Sequence, residues 1–223
     1  RQFMLGNDPN EILSTLRRLH EHDVAFTVDI LGEMVVSEPE ADQYAQRYLK
    51  LLELLGREIP RWSHRCRSNE SPRGPSPPLN LSIKISALDS QIHPAAPEAA
   101  IQRIAARLRP ILRRAKELGA FINFDMESYA LKGLTLDLFR IVFAEAEFDP
   151  APACGIALQA YLKDSENDLA TLISWARSRR RRITIRLVKG AYWDYETVIA
   201  GQRHWPSPVF GHKAETDLNF ERL

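Results

Sequence analysis

The sequence predicts an α/β fold of the (β/α)8, TIM-like barrel class, with this chain supplying about five of the eight βα units. Three observations predict it. Strand-like and helix-like segments alternate from end to end with a helix between every pair of strands, the order that a parallel sheet of βαβ units requires. From Phe26 to Leu81, Phe121, Gly155 and Ile183 the spacing of strand starts falls from 55 to 28 residues. A barrel unit needs roughly 30. Finally, the strands alternate apolar and polar residues instead of running apolar throughout, as strands buried on both faces ordinarily do. A doubly wound open sheet is the second reading.

Each element has a local reason. Asp8-Pro9 followed by Glu11 opens a helix, with a capping side chain and proline at the first helical position, and that helix runs to about His22. Ala25–Leu31 has strand character. Ser37-x-x-Glu40 forms a capping box for a second helix, whose Ala41, Tyr44, Tyr48, Leu52 and Leu55 keep helical spacing until Gly56 stops it. Residues 57–80 hold Pro60, Pro72, Pro75, Pro77 and Pro78 among Arg, Ser and Asn, a composition that reads as a long loop. Leu81–Ala87 is the second strand. Glu98–Leu118 is a helix with Ile101, Ile104, Leu108, Ile111 and Leu112 on one stripe, kinked at Pro110 and closed by Gly119. Phe121–Met126 is the third strand, 135–147 a helix and Gly155–Ala160 the fourth strand. Ser165-x-x-Asp168 caps a helix to about Arg177, Ile183–Lys189 is the fifth strand, and Ala214–Leu223 reads as a helix. The chain opens on Arg1 and stops inside that helix. It therefore reads as part of something longer, with residues 1–223 as a single partial barrel domain.

Composition narrows the function. With 223 residues, 44% hydrophobic, 26% charged and 30 basic against 29 acidic side chains, the chain is an ordinary globular one, not collagen-like, disordered or disulfide-stapled. A net charge of +1 gives no global attraction to nucleic acid or to an acidic membrane. Arg177 and Arg179 to Arg182 read as a solvated helix terminus rather than a nucleic-acid patch. Cys66 and Cys154 stand far apart with no metal or redox spacing, which fits a reducing compartment. His20, His22, His64, His93, His204 and His212 show no metal-ligand spacing, so no metal site is expected. Neither Gly-x-Gly-x-x-Gly nor a P-loop occurs.

The chemistry lies in the alternation. One parity is apolar: Phe26, Val28, Ile30; Leu81, Ile83, Ile85; Ile122, Phe124, Met126; Ile156, Leu158; Ile183, Ile185, Leu187. The other carries Thr27, Asp29, Ser82, Lys84, Ser86, Asn123, Asp125, Gln159, Thr184 and Arg186. Successive side chains point to opposite faces, so the apolar set should meet the surrounding helices and the polar set the barrel axis. Buried ion pairs are weak evidence of stability, so charges gathered there read as a binding site. A sheet with one face in water is the plain alternative.

The run Arg186-Leu-Val-Lys-Gly-Ala-Tyr-Trp-Asp194 resembles the fifth-strand signature of the proline dehydrogenase family, including the proline dehydrogenase domain of bifunctional proline utilization A proteins. Similar segments stand in family order at Asp29-Ile-Leu-Gly-Glu33, Ser82–Ala87, Asn123–Glu127, Leu158-Gln-Ala-Tyr161 and Pro208–Asp217. The resemblance implies an FAD-dependent barrel that oxidises L-proline to 1-pyrroline-5-carboxylate by hydride transfer and passes electrons to a quinone. It implies Asp125 and Arg186 as catalytic residues, Lys84 and Tyr192 at the substrate, and Met126, Gln159, Arg186, Lys189, Gly190 and Ala191 against the FAD. Glu33 and Glu127 would support the charged site, Trp193 and Trp205 would stack on adenine or cover the rim, and His212 would sit near the cofactor or at the surface. It further implies a cytoplasmic protein, peripheral at the inner face of a membrane, with a fused or separate aldehyde dehydrogenase.

Two positions depart from the family pattern: Gly211 replaces a customary hydroxyl residue, and Asp89 a position more often aromatic. The family's substrate-clamping Arg pair lies on a later helix, so the 223 residues alone are expected not to turn over proline. Without the resemblance, Lys84 could serve a Schiff-base lyase, or the chain could be a non-catalytic barrel segment.

Overall fold

The computed structural model describes residues 9–32, 34–62, 77–149 and 152–223. Seven helices and five strands are described, in the order α1 (Pro9–Glu21), β1 (Val28–Asp29), α2 (Glu38–Glu58), β2 (Asn80–Ile83), α3 (Pro97–Leu118), β3 (Phe121–Phe124), α4 (Tyr129–Val142), β4 (Ala153–Gln159), α5 (Ser165–Ser178), β5 (Thr184–Val188), α6 (Trp193–Gln202) and α7 (Lys213–Arg222). The strands form one sheet in the order β1-β2-β3-β4-β5, and every pairing is parallel. A doubly wound sheet reverses its order at a switch point, whereas sequential order is that of a barrel wall. The five βα units therefore make a barrel-type wall, and among the described residues the sheet is open, with β1 and β5 at its edges.

The apolar parity does what the alternation predicts. Leu81, Ile83, Ile122, Phe124 and Ile156 are buried in one cluster with Tyr48, Leu52 and Leu55 of α2, Ile104, Leu108 and Leu112 of α3, and Phe139 and Phe143 of α4. Phe124, Phe139 and Phe143 meet pairwise at ring-centroid distances of 4.9 to 5.8 Å. At roughly 25 cal/mol per Å² of apolar surface removed from water, this helix-facing layer is the main source of stability.

Several boundaries differ from the sequence expectation. The first strand shrinks to Val28–Asp29, the two residues that pair with β2, opposite Leu81 and Ser82. Gly56 does not stop α2, which continues to Glu58. Its missing side chain serves packing instead, since a Cβ there would fall 2.7 Å from Leu118 Cδ1. The capping box at Ser37 is rearranged: Ser37 accepts from the Glu40 N–H, but the Glu40 carboxylate accepts from the Val36 N–H at 2.9 Å. The proposed loop 57–80 begins as helix and a 3-10 turn (Ile59–Arg61), and residues 63–76 lie outside the described residues, as do Cys66, His64 and Glu33. The second strand ends at Ile83, where the chain turns into a 3-10 helix over Ile85–Ala87. The fourth helix spans Tyr129–Val142 rather than 135–147. Ser165 is the first residue of α5, not its cap, and the Asp168 carboxylate is drawn to Lys132 Nζ at 2.7 Å. The basic run ends α5, with Arg181 bonded to the carbonyls of Phe143 and Phe148. The helix α6 carries no strong apolar stripe and was not anticipated. Gly119, with φ +61°, closes α3 as expected. Asp89, fully buried, is neutralised by a bidentate pair with Arg103, both bonds 2.9 Å.

Candidate active site

The polar parity converges beyond the helix-facing core. Lys84 directly follows β2, Asp125 follows β3, Asp29 ends β1 and Arg186 lies within β5. Parallel pairing gathers them in one sheet, and their side chains bridge the rest, Arg186 reaching across β4. Lys84 Nζ bonds to Asp29 Oδ2 and, at 3.0 Å, to Asp125 Oδ2, and Arg186 Nη2 bonds to Asp125 Oδ1. Four charges thus alternate in a row across four strands: Asp29, Lys84, Asp125, Arg186. Ser82 Oγ donates to Asp125 Oδ1 at 2.6 Å, and Asn123 Nδ2 donates to Ser82 Oγ at 2.8 Å and to Asp125 Oδ1 at 3.0 Å. Asp125 therefore accepts four hydrogen bonds, the satisfaction a buried carboxylate requires.

Burial is graded along the row. The side chains of Lys84 and Asp125 are about 10% exposed, while Arg186, on the edge strand, is 47% exposed. Burial pulls the Lys84 ammonium down, but the Asp29 bond and the two nearby carboxylates outweigh it, and the group is held above its ordinary value. Burial pushes the Asp29 carboxyl up against the opposing pull of Lys84. Lys84 is thus a held cation, not a free amine. Beneath it, the buried Tyr48 hydroxyl accepts the Lys84 backbone N–H at 3.3 Å, and burial raises its pKa.

All nine residues singled out from the sequence line one cleft of about 420 Å³: Lys84, Asp125, Met126, Gln159, Arg186, Lys189, Gly190, Ala191 and Tyr192, joined by Ala157 and Val188. The cleft sits at the carboxyl ends of the strands. Gln159, at the end of β4, donates from Nε2 to the carbonyls of Met126 (3.4 Å) and Glu127 (3.3 Å), while its Oε1 is buried without a partner among the described residues. Gly190 has φ +128°, and a Cβ there would fall 2.4 Å from the Tyr161 ring. Its first constraint is thus a neighbouring side chain. Lys189 pairs with Asp217, which also accepts from Lys213, so two ammonium groups share one carboxylate at the rim.

Other expectations resolve as follows. Glu127 is buried and grips Ser86 through the latter's N–H (3.1 Å) and hydroxyl, one turn beyond Lys84. Trp193 is partly exposed, with its Nε1 donating to Phe210 O at 2.8 Å, and Trp205 lies at the surface under Arg203. His212 caps α7 as its backbone N–H meets the Glu215 carboxylate at 2.9 Å. Sequence reasoning missed Tyr161 and Glu196. Tyr161 ends one family-like segment and Glu196 stands two residues past another, so their placement was the only available signal.

A charged cleft at the carboxyl ends of sequential parallel strands is where barrel-type enzymes carry their sites. The model of the proline dehydrogenase family matches residues 12–223, and the chain belongs to that family. It is 30% identical over 220 residues to the bifunctional protein PutA of Klebsiella aerogenes, covering 98% of this chain and 16% of that protein. It is 28% identical over 223 residues to proline dehydrogenase 1 of Bacillus subtilis strain 168, covering 100% of this chain and 59% of that one. The crystal structure of proline utilization A from Bdellovibrio bacteriovorus, inactivated by N-propargylglycine, is similar with a TM-score of 0.95 and 42% identity, over 99% of this chain and 23% of that one. The chain thus spans less than two thirds of the length of each of these relatives.

Proposed function

We propose that this chain forms the flavin-facing wall of an enzyme that oxidises L-proline to 1-pyrroline-5-carboxylate, the first step of proline catabolism, with FAD as hydride acceptor. One observation carries the reading: Lys84, Asp125 and Arg186, three members of the alternating row whose fourth, Asp29, pairs with Lys84, line the cleft together with Gln159, whose buried Oε1 has no partner among the described residues. An amide oxygen without a partner calls for an N–H donor from whatever fills the cleft. The ring of a flavin supplies such a donor, and Met126, Ala157 and Val188 supply the apolar surface for a planar group. The residues therefore fit FAD. When bound, FAD supplies the two-electron chemistry that no side chain has.

The chain's own residues do the rest. Arg186 is permanently charged, steadied by Asp125 and half open to the cleft, so it favours negative charge developing beside it. Asp125 acts through that contact and its hold on Lys84, positioning both cations. The two bonds from Gln159 Nε2 fix which way its amide faces. Lys84 stays protonated and offers positive charge to the substrate, and Tyr192 packs against the proline ring. Gly190 and Ala191 lay backbone along the cofactor, while Lys189, with Lys213, keeps the rim positive toward phosphate. A lysine held protonated between two carboxylates does not attack a carbonyl, which counts against the Schiff-base lyase. Electrons pass onward to a quinone, which sets the working protein at the inner membrane surface, although no helix among the described residues is long and apolar enough to cross a membrane. A fused or separate aldehyde dehydrogenase consumes the product.

The test is spectroscopic. Purified holoenzyme is expected to be yellow and to bleach when proline is added without oxygen. Colourless protein, or bound flavin that proline leaves oxidised, would overturn the reading.

A further inference from the structure

The cleft has two walls that leave the sheet separately. One is the segment after β3, with Asp125 and Met126, and the other is the segment after β5, from Gly190 to Tyr192. β4 stands between them in the ladder. Above the ladder, one side chain crosses from wall to wall. Glu196, in the first turn of α6 and 5% exposed, accepts the Tyr129 N–H on Oε1 at 2.7 Å. Tyr129 is the first residue of α4, three positions past Met126. On its own side, the Glu196 N–H donates to the Tyr192 carbonyl at 2.9 Å. Tyr192 and the start of α4 are thus joined through a single residue.

This cap is not a local one. Ser128, at the N-cap position of α4, makes no side-chain capping bond, so the helix takes its anionic cap from another unit 67 residues away. A carboxylate at a helix N-terminus is favoured by the helix dipole and by the unmet N–H groups of the first turn. Burial nevertheless pushes the Glu196 carboxyl up, with the Tyr129 bond opposing it. The serine already at position 128 leaves the Tyr129 N–H to Glu196, so the bond joins two units of the chain where a local cap would join none. Tyr161 fills the space beneath, its ring against Gly190 and its side chain buried, so the β5 wall is pressed from below and tied from the side.

Building on the flavin and proline reading above, we propose that Glu196 is a positioning residue, a brace that sets the width of the cleft by tying the Tyr192 wall to the Met126 wall. It touches neither reacting group. It acts through Tyr192 on the substrate side and through the Gly190–Ala191 backbone on the cofactor side.

The test compares three variants of the holoenzyme. Glu196→Ala is expected to raise KM for proline about tenfold while kcat stays within about threefold, and to change the shape of the visible flavin band, because small misplacements of positioning groups act in this range. Glu196→Gln keeps an oxygen acceptor at the same reach and is expected to restore KM to within about twofold. Glu196→Asp keeps the charge but falls short by one methylene, and is expected to raise KM at least about threefold even where the alanine variant does not fold. Wild-type KM and an unchanged flavin band in the alanine or aspartate variant would overturn the brace, as would a glutamine variant no better than alanine. If the wild-type enzyme leaves proline unoxidised, the functional reading fails by itself. The brace is then judged by amide exchange in the first turn of α4, expected to quicken about tenfold in Glu196→Ala, with unchanged exchange overturning it.

Discussion

Gly190→Ala probes the contact that shapes the cleft's outer wall. A Cβ at position 190 would lie 2.4, 2.6 and 2.6 Å from Cδ1, Cε1 and Cγ of Tyr161, each about 1 Å or more inside the ordinary carbon–carbon contact of about 3.5–4.0 Å. The ring has little room to withdraw, since Tyr161 is 2% exposed and packed with Leu162, Val209 and Tyr192. Two costs arise. Holding an L-residue at φ +128° costs about 1–3 kcal/mol, and overpacking a closed site costs about another 1–3 kcal/mol. Together they predict a loss of about 2–6 kcal/mol, read by urea unfolding, with weaker flavin retention because the displaced backbone lines the cleft. Tyr161→Leu in the same background opens space but leaves φ unchanged. It should recover only the steric share, giving a coupling of about 1–3 kcal/mol in the double-mutant cycle. A Gly190→Ala protein within about 1 kcal/mol of wild type, or a cycle with no coupling, would refute the reasoning.

Asp125→Ala strips the acceptor of four hydrogen bonds and leaves Lys84 with Asp29 alone. Removing one partner of a buried pair costs about 3–5 kcal/mol, and the half-exposed Arg186 places the expected loss at the lower end. A denaturation midpoint unchanged from wild type would contradict it. Gln159→Leu loses two long neutral bonds and should cost the fold only about 1–2 kcal/mol, while flavin affinity falls about tenfold; equal flavin retention in a dialysis assay would remove Gln159 from the cofactor site. Glu38, held at about 2 by the Ser90 hydroxyl and then by Arg107, has a folded pKa below its ordinary 4.5. Its stabilisation is therefore present above pH 4.5 and is lost as the pH falls toward 2. Because the side chain is 37% exposed, solvent screening limits the effect to about 1 kcal/mol. Glu38→Gln should flatten the acid limb of the stability curve by that amount, and an unaltered slope in urea titrations between those pH values would count against the assignment.

Local sequence was enough for everything that depends on period and neighbours. Alternation in Leu81–Ala87 and Phe121–Met126 told which side chains face the helices, because adjacent strand residues always diverge, and Gly119 marked the end of α3 because only a left-handed residue closes a helix that way. The same alternation placed Lys84, Asp125, Gln159 and Arg186 on one face, and the family-like segments then marked the remaining cleft residues. Pairing and side-chain reach decided what that alternation could not: that Asp29, Lys84, Asp125 and Arg186 bond in a row of alternating sign, Arg186 reaching Asp125 across β4, since this depends on segments far apart in the chain. Contact between folded units also moved the boundaries. The start of α4 is set by Glu196 across 67 residues, and Gly56 is needed for the approach of Leu118 rather than for a helix end. Gly190 and Tyr161 read as separate motif letters until folding pressed one against the other. Periodicity fixes the face of each side chain because it is a property of the backbone. Its partner is fixed only when distant segments exclude water together, and no stretch of sequence carries that information alone.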